Sequence, residues 1–241
     1  KKPPAKNPIM LAGLPGMGLV AKQVVDYFIR KLDAELIGEI EETYPSTNTI
    51  IYNNGVFLNI PRASYRFYYW GDQDREAIFF TGTQQPLTAE RQHELAEQIV
   101  KIAKDFNVKR IYTTAALAVV RYVDKPRVYG VVTNPGLLIE LKKHGVEVLA
   151  GEGTIRGLNG LLIGYAREAG IEGMCLLGET YLVDSVDVLA ALAVMRKLID
   201  MTGIQVDLTE AEEVAKRLEE ETEKVLKKLK REEDKKLGYI S

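Results

Sequence analysis

Residues 9–32 read IMLAGLPGMGLVAKQVVDYFIRKL, a short apolar run, a turn holding Gly13, Pro15, Gly16 and Gly18, and then an amphipathic segment. In that segment Val20, Val24, Tyr27, Phe28 and Leu32 recur at helical spacing and give one apolar face. Strand, glycine turn and helix in that order open an α/β domain. Gly16, Gly18 and Ala21 also satisfy G-x-G-x-x-A, the pattern with which a dinucleotide-binding corner holds a pyrophosphate on a helix N-terminus. The same glycines serve a corner where helix and strand pack closely, so the turn has two readings.

The rest of the chain favours the second. A mononucleotide-binding half needs another βα unit after the first helix. Here Ala34–Glu41, Thr49–Asn53, Val56–Ile60, Tyr65–Trp70 and Ala77–Thr81 read as successive strands, a β meander with no helix between them, with a turn at Pro45–Asn48 and an Asn53-Asn54-Gly55 hairpin. Helical pattern returns at Thr88–Phe106. Strands follow at Arg110–Thr114, Arg127–Val132, Val146–Ala150 and Ile171–Leu177, with helices after Asn134-Pro135, at Leu158–Ala169 and at Asp187–Met201. The predicted fold is α/β, a central mixed sheet flanked by helices, over residues 1–206.

Residues 207–236 read as a long C-terminal amphipathic helix opened by a capping box, Thr209-Glu-Ala-Glu212. Ala211, Ala215, Leu218, Thr222, Val225 and Leu229 step along it as a heptad seam rich in small residues, which suits packing on the body or on a neighbouring subunit. Residues 237–241, Leu-Gly-Tyr-Ile-Ser, form an uncharged, flexible tail.

Composition narrows function. The 241 residues carry a net charge of −2, with no cationic excess for nucleic acid. No apolar run approaches the ~20 residues of a membrane helix, and the one after the basic N-terminus is too short for a signal-peptide core. The single cysteine, Cys175, lies in the apolar run Met-Cys-Leu-Leu, as a buried inert thiol of a cytoplasmic protein does. His93 and His144 stand in polar helical contexts without partners at metal-ligand spacing, and no metal or cofactor is expected. Glu152, Glu179, Asp184 and Asp187 would make an acidic site if their loops converged, but Asp184, Ser185 and Asp187 read more simply as a helix cap. Tyr65–Trp70, YRFYYW, is either a partner-binding face or an aromatic strand.

Five segments together resemble the proteasome assembly chaperone 2 family, in particular its archaeal homologues: Leu14–Val20, Gly82–Pro86, Thr133–Gly136, Ile155–Leu162, and Leu177–Thr180 followed by Asp187–Ala191. They occur in family order, and the sequence departs at Thr114-Ala-Ala116, where the family often has a glycine pair. The resemblance implies a fold akin to the nucleoside phosphorylase/hydrolase-like group without its catalytic residues. It implies a non-enzymatic chaperone or scaffold that assembles with itself, as a ring such as a tetramer or pentamer, and binds proteasome α-subunits or a second protein.

Some archaeal members dock through a C-terminal hydrophobic–Tyr–any tripeptide. In this sequence Tyr239 is third from the end and follows Gly238, so the carboxylate and the ring do not both take the motif's places. The expected partner-binding residues are Leu237, Tyr239 and Ile240 in the tail and Leu218, Val225 and Leu229 on the helix. The alternative is a nucleotide- or nucleoside-binding enzyme, ATP-dependent ligase-like or phosphorylase-like, using Gly13, Gly16 and Gly18.

Overall fold

The computed structural model describes residues 7–42 and 50–237, the side chains of 223 and 225–237 excepted. The turn expected at Pro45–Asn48 lies outside them. The chain divides after Val206 into two compact units.

The first unit is built on an eight-stranded mixed sheet. In chain order its elements are β1 (Ile9–Gly13), α1 (Val20–Lys31), β2 (Glu35–Glu41), β3 (Ile51–Asn53), β4 (Val56–Asn59), β5 (Ser64–Gly71), β6 (Glu76–Gly82), α2 (Ala89–Asp105), β7 (Arg110–Ala118), β8 (Val128–Val132), α3 (Leu138–Lys143), β9 (Glu147–Val148), α4 (Leu158–Glu168), β10 (Glu172–Thr180) and α5 (Val188–Thr202). Strands lie in the order β2-β5-β6-β1-β7-β10-β8-β9, and the four central ones, β6-β1-β7-β10, are parallel. Antiparallel strands flank them, β5 beside β6 and β8 beside β10.

Alternation along the central strands sends side chains to two helical layers. Met10 and Ala12 of β1, Ile78 and Phe80 of β6 and Ile111 of β7 belong to a core shared with Leu95, Ile99 and Ala103 of α2 and Leu158, Leu162 and Ala166 of α4. On the other face, Phe79 meets Phe28 of α1 at 6.3 Å between ring centroids. Gly13 belongs to that face. A Cβ there would collide with the Ala21 carbonyl and stand 2.8 Å from Val25 Cγ2, so a bare Cα is what lets α1 lie against β1.

The aromatic strand divides along the same alternation. Tyr65 and Phe67 of β5 point into the core and Arg66 points out, so the inward half of YRFYYW is packing. The meander also differs from its expected form. β2, β5 and β6 are consecutive in the sheet, whereas β3 and β4 leave it as a separate two-stranded hairpin. Its turn has Asn54 and Gly55 at φ +48° and +78°, the left-handed pair that a two-residue hairpin needs.

The second unit is one helix, α6 (Thr209–Leu237). Its start differs from the expected capping box. The Asp207 carboxylate accepts from both the N–H and the hydroxyl of Thr209, and the Glu212 N–H goes to the Leu208 carbonyl (2.9 Å).

Candidate functional site: the C-terminal end of the parallel strands

Open α/β sheets place their ligands in the crevice beyond the C-terminal ends of parallel strands. In this chain the loops at that end are 14–19 after β1, 83–88 after β6, 119–127 after β7 and 181–187 after β10.

The glycine turn is tied into these loops by its own backbone. The Leu14 N–H donates to Asn159 Oδ1 (3.0 Å) and the Leu14 carbonyl accepts from Asn159 Nδ2 (3.1 Å). Gln85 is likewise spent in both directions, donating to the Pro15 carbonyl (2.7 Å) and accepting from the Leu158 N–H (2.9 Å). The Gly18 N–H, which a dinucleotide site would aim at phosphate, donates to the Val183 carbonyl at 3.1 Å. The Gly18 carbonyl accepts from the Asp187 N–H and from Gln23 Nε2. Gly18 and Leu19 both have positive φ, +62° and +50°, and this double left-handed step turns the chain toward the 181–187 loop before α1 begins. For Leu19, which has a Cβ, the conformation costs on the order of 1 kcal/mol. It leaves the Leu19 side chain exposed beside exposed Met17.

The acidic candidates separate. Asp187, almost fully buried, caps α5 through the Ala190 N–H (2.9 Å) and accepts from the Thr180 hydroxyl. Glu179, adjacent to Thr180 on β10, faces the other side of the sheet. It takes Arg127 at 3.2 Å and Arg121 at 2.6 Å, and the hydrogen bonds from Arg127, with the charge of Arg121, hold its carboxyl below the usual carboxylate range despite its burial. Glu179 therefore pins the 119–127 loop. Cys175 is fully buried, and burial pushes its thiol up to about 11. His93 meets the Tyr165 hydroxyl and His144 meets Asp200. Among the described residues no group of His, Cys, Asp and Glu is placed to hold a metal, and no helix is long and apolar enough to cross a membrane.

Between charged residues such as Arg121 and Arg127, the loops present apolar side chains. Met17, Leu19, Leu87, Val120, Val183 and Val186 are all exposed at this end, and Tyr122 stands edge-on to Tyr181 at 5.1 Å. A cleft of about 590 Å³ opens beside Met17, floored by Ala115–Ala118 and Leu177 and bordered by Gly16, Ile155 and Arg156. Thr154 and Arg156 also line it, and its other two polar side chains, Gln85 and Asn159, are already committed to the glycine turn. Sequence reasoning assigned these two no role. The signal for Asn159 was a lone amide in the apolar run Leu-Asn-Gly-Leu-Leu.

Four of the five recognised segments meet here. Leu14–Val20 is bonded to Gly82–Pro86 through Gln85, to Ile155–Leu162 through Asn159, and to the Asp187 cap through Gly18. Thr133–Gly136 is at the opposite end, where Thr133 Oγ1 accepts from the Gly173 N–H. Residues 10–226 match the PAC2 family.

The chain belongs to the PAC2 family. Among solved structures this PAC2 chain is similar to Pyrococcus furiosus PbaB, an archaeal proteasome activator, at 31% identity and a TM-score of 0.80, covering 93% of this chain and 96% of that one. It is also similar to Pyrococcus furiosus PbaA, an archaeal homolog of proteasome-assembly chaperone, at 28% identity and a TM-score of 0.72, covering 91% and 92% of the two chains. Methanocaldococcus jannaschii MJ1210 is 29% identical over 223 residues, 92% of this chain and 84% of that protein.

The other expected contacts of the PAC2 chain are on α6 and beyond it. Leu218 is exposed. Val225, Leu229 and Leu237 lie in the helix, with side chains outside the described residues. Tyr239 and Ile240 lie outside the described residues altogether.

Proposed function

We propose that this PAC2 chain is a non-enzymatic chaperone or scaffold of the proteasome-assembly type, which associates with itself and holds a partner protein on the loop face at the C-terminal end of its sheet. One observation carries the reading. Where an α/β enzyme gathers catalytic groups, this chain exposes apolar side chains on the loops, one of them, Met17, at an alanine-floored cleft, and spends Gln85, Asn159 and the Gly18 amide on holding the loops in place. Exposed apolar groups on a hydrogen-bonded platform suit protein docking, because little order is lost on binding.

The similarity to PbaB and PbaA makes proteasome α-subunits the first partner to test. The α6 positions Leu218, Val225 and Leu229 and the tail residues Leu237, Tyr239 and Ile240 are proposed as a second contact. The lone buried cysteine suits a reducing cytoplasm.

The test is capture of purified proteasome α-subunits by the full chain, by the double variant Leu87→Asp with Val120→Asp, and by a chain lacking residues 237–241. The loop variant is expected to lose capture at least tenfold while its thermal melting stays within a few degrees. Capture unchanged by the loop variant would remove the loop face as the contact. Capture lost only with the tail would move it there.

A further inference from the structure

Among the described residues the β3–β4 hairpin is a sheet of its own, outside the eight-stranded one. Every residue of both strands is exposed, and Ile50–Tyr52, Val56–Leu58 and Ile60 stand 44–67% open to solvent. Residues 50–60 hold no charged side chain, and of their three asparagines Asn54 is in the turn and Asn53 borders it. Tyr52 and Phe57 are cross-strand neighbours on one face, and Val56 lies opposite Asn53 on the other. An isolated two-stranded hairpin is marginal in water even when its side chains are polar. This one adds seven half-exposed apolar side chains, on the order of 600 Å², the upper end of what a monomer's largest patch presents.

We infer that two copies of this chain pack hairpin against hairpin, and that this contact builds the self-association proposed above, on which the inference rests. Three features select a second copy as the occupant. Its two faces together, with edges and flanking residues, approach the roughly 800 Å² per partner of a standard interface. A surface with no charge meets its own copy across a two-fold axis without like-charge repulsion, whereas a charged partner finds nothing here to pair with. Among the described residues β3 and β4 pair only with each other, so each has an open outer edge whose N–H and C=O groups a neighbouring hairpin satisfies. A lipid surface does not satisfy them, because unpaired backbone groups cost several kcal/mol each in hydrocarbon.

The experiment uses the full chain and two variants of the Tyr52–Phe57 pair: Tyr52→Asp with Phe57→Asp, and Tyr52→Lys with Phe57→Lys. Mass is read by light scattering behind a sizing column at micromolar concentration and low salt, with a urea transition as the folding control. Wild type is expected as an oligomer. Each variant alone is expected at half that mass or less with a single cooperative transition that does not depend on protein concentration, and an equimolar mixture is expected to recover the larger species as opposite charges face each other. A monomeric wild type overturns the self-association itself. An oligomeric wild type with variants of undiminished mass overturns only the hairpin contact. Reduced mass that mixing does not restore shows the hairpin seated on a different surface, and overturns the pairing.

Discussion

The glycine turn after β1 and the β3–β4 hairpin are both short corners with two consecutive left-handed residues, Gly18-Leu19 in one and Asn54-Gly55 in the other. Their surroundings are opposite. The first is fastened by Asn159, Gln85 and the Val183 carbonyl, and its glycine Gly13 is pressed against α1. The second, among the described residues, pairs only within itself and carries apolar side chains in water. The same local geometry therefore serves stability in one place and presentation in the other. Substitutions should follow that division, large in the unfolding free energy of the dissociated chain at the turn and near zero at the hairpin.

The largest effect is expected at Gly13→Ala. The new Cβ meets a backbone carbonyl that cannot rotate away, so overpacking should cost on the order of 3 kcal/mol. Urea unfolding measures it, and a change below about 1 kcal/mol would mean α1 does not lie as close to β1 as the fold requires.

Asn159→Leu comes next. It leaves the Leu14 N–H and carbonyl without their buried partner, for about 2 kcal/mol in the same assay.

Glu179→Gln is smaller, about 1 kcal/mol at neutral pH, because Arg121 and Arg127 are half exposed and partly screened. Its pH dependence has a definite sign. The folded carboxyl titrates below its unfolded value, so its contribution is present above the ordinary glutamate pKa of about 4.3 and is lost as pH falls through the folded pKa. Wild type and variant should converge in stability at low pH. A gap that persists there would mean Glu179 acts through packing rather than charge.

The hairpin marks the other limit. Tyr52→Asp with Phe57→Asp should change the unfolding free energy of the dissociated chain, compared at high dilution, by no more than about 0.5 kcal/mol.

Much of this was legible in the sequence, and the misses have physical causes. Helical periodicity located α1, α2, α4 and α5, and the caps Asn134 and Asp187 lie where side-chain chemistry predicts. β7 runs to Ala118 and β10 to Thr180, beyond their expected ends at Thr114 and Leu177. Those ends are rich in alanine and glycine, which have low strand propensity, and are held by pairing with each other from Glu172↔Arg110 to Thr180↔Ala118. No local signal distinguishes a strand of the main sheet from an arm that leaves it, so the β3–β4 hairpin read as meander. The platform was hidden for a similar reason. Gln85 and Asn159 act across 70 to 145 residues of sequence, and a one-dimensional pattern shows them only as polar residues out of place.

The central claim is that the C-terminal end of the parallel strands is a protein-docking face, and hydrogen–deuterium exchange of the full chain tests it most directly. Exchange would be compared for the chain alone, with purified proteasome α-subunits, and with millimolar ATP or NAD. The account predicts slowed exchange at 14–19, 83–88, 119–127 and 181–187 with the α-subunits and none with the nucleotides. Protection of 14–19 by a nucleotide, or α-subunit protection that bypasses all four loops, would contradict it.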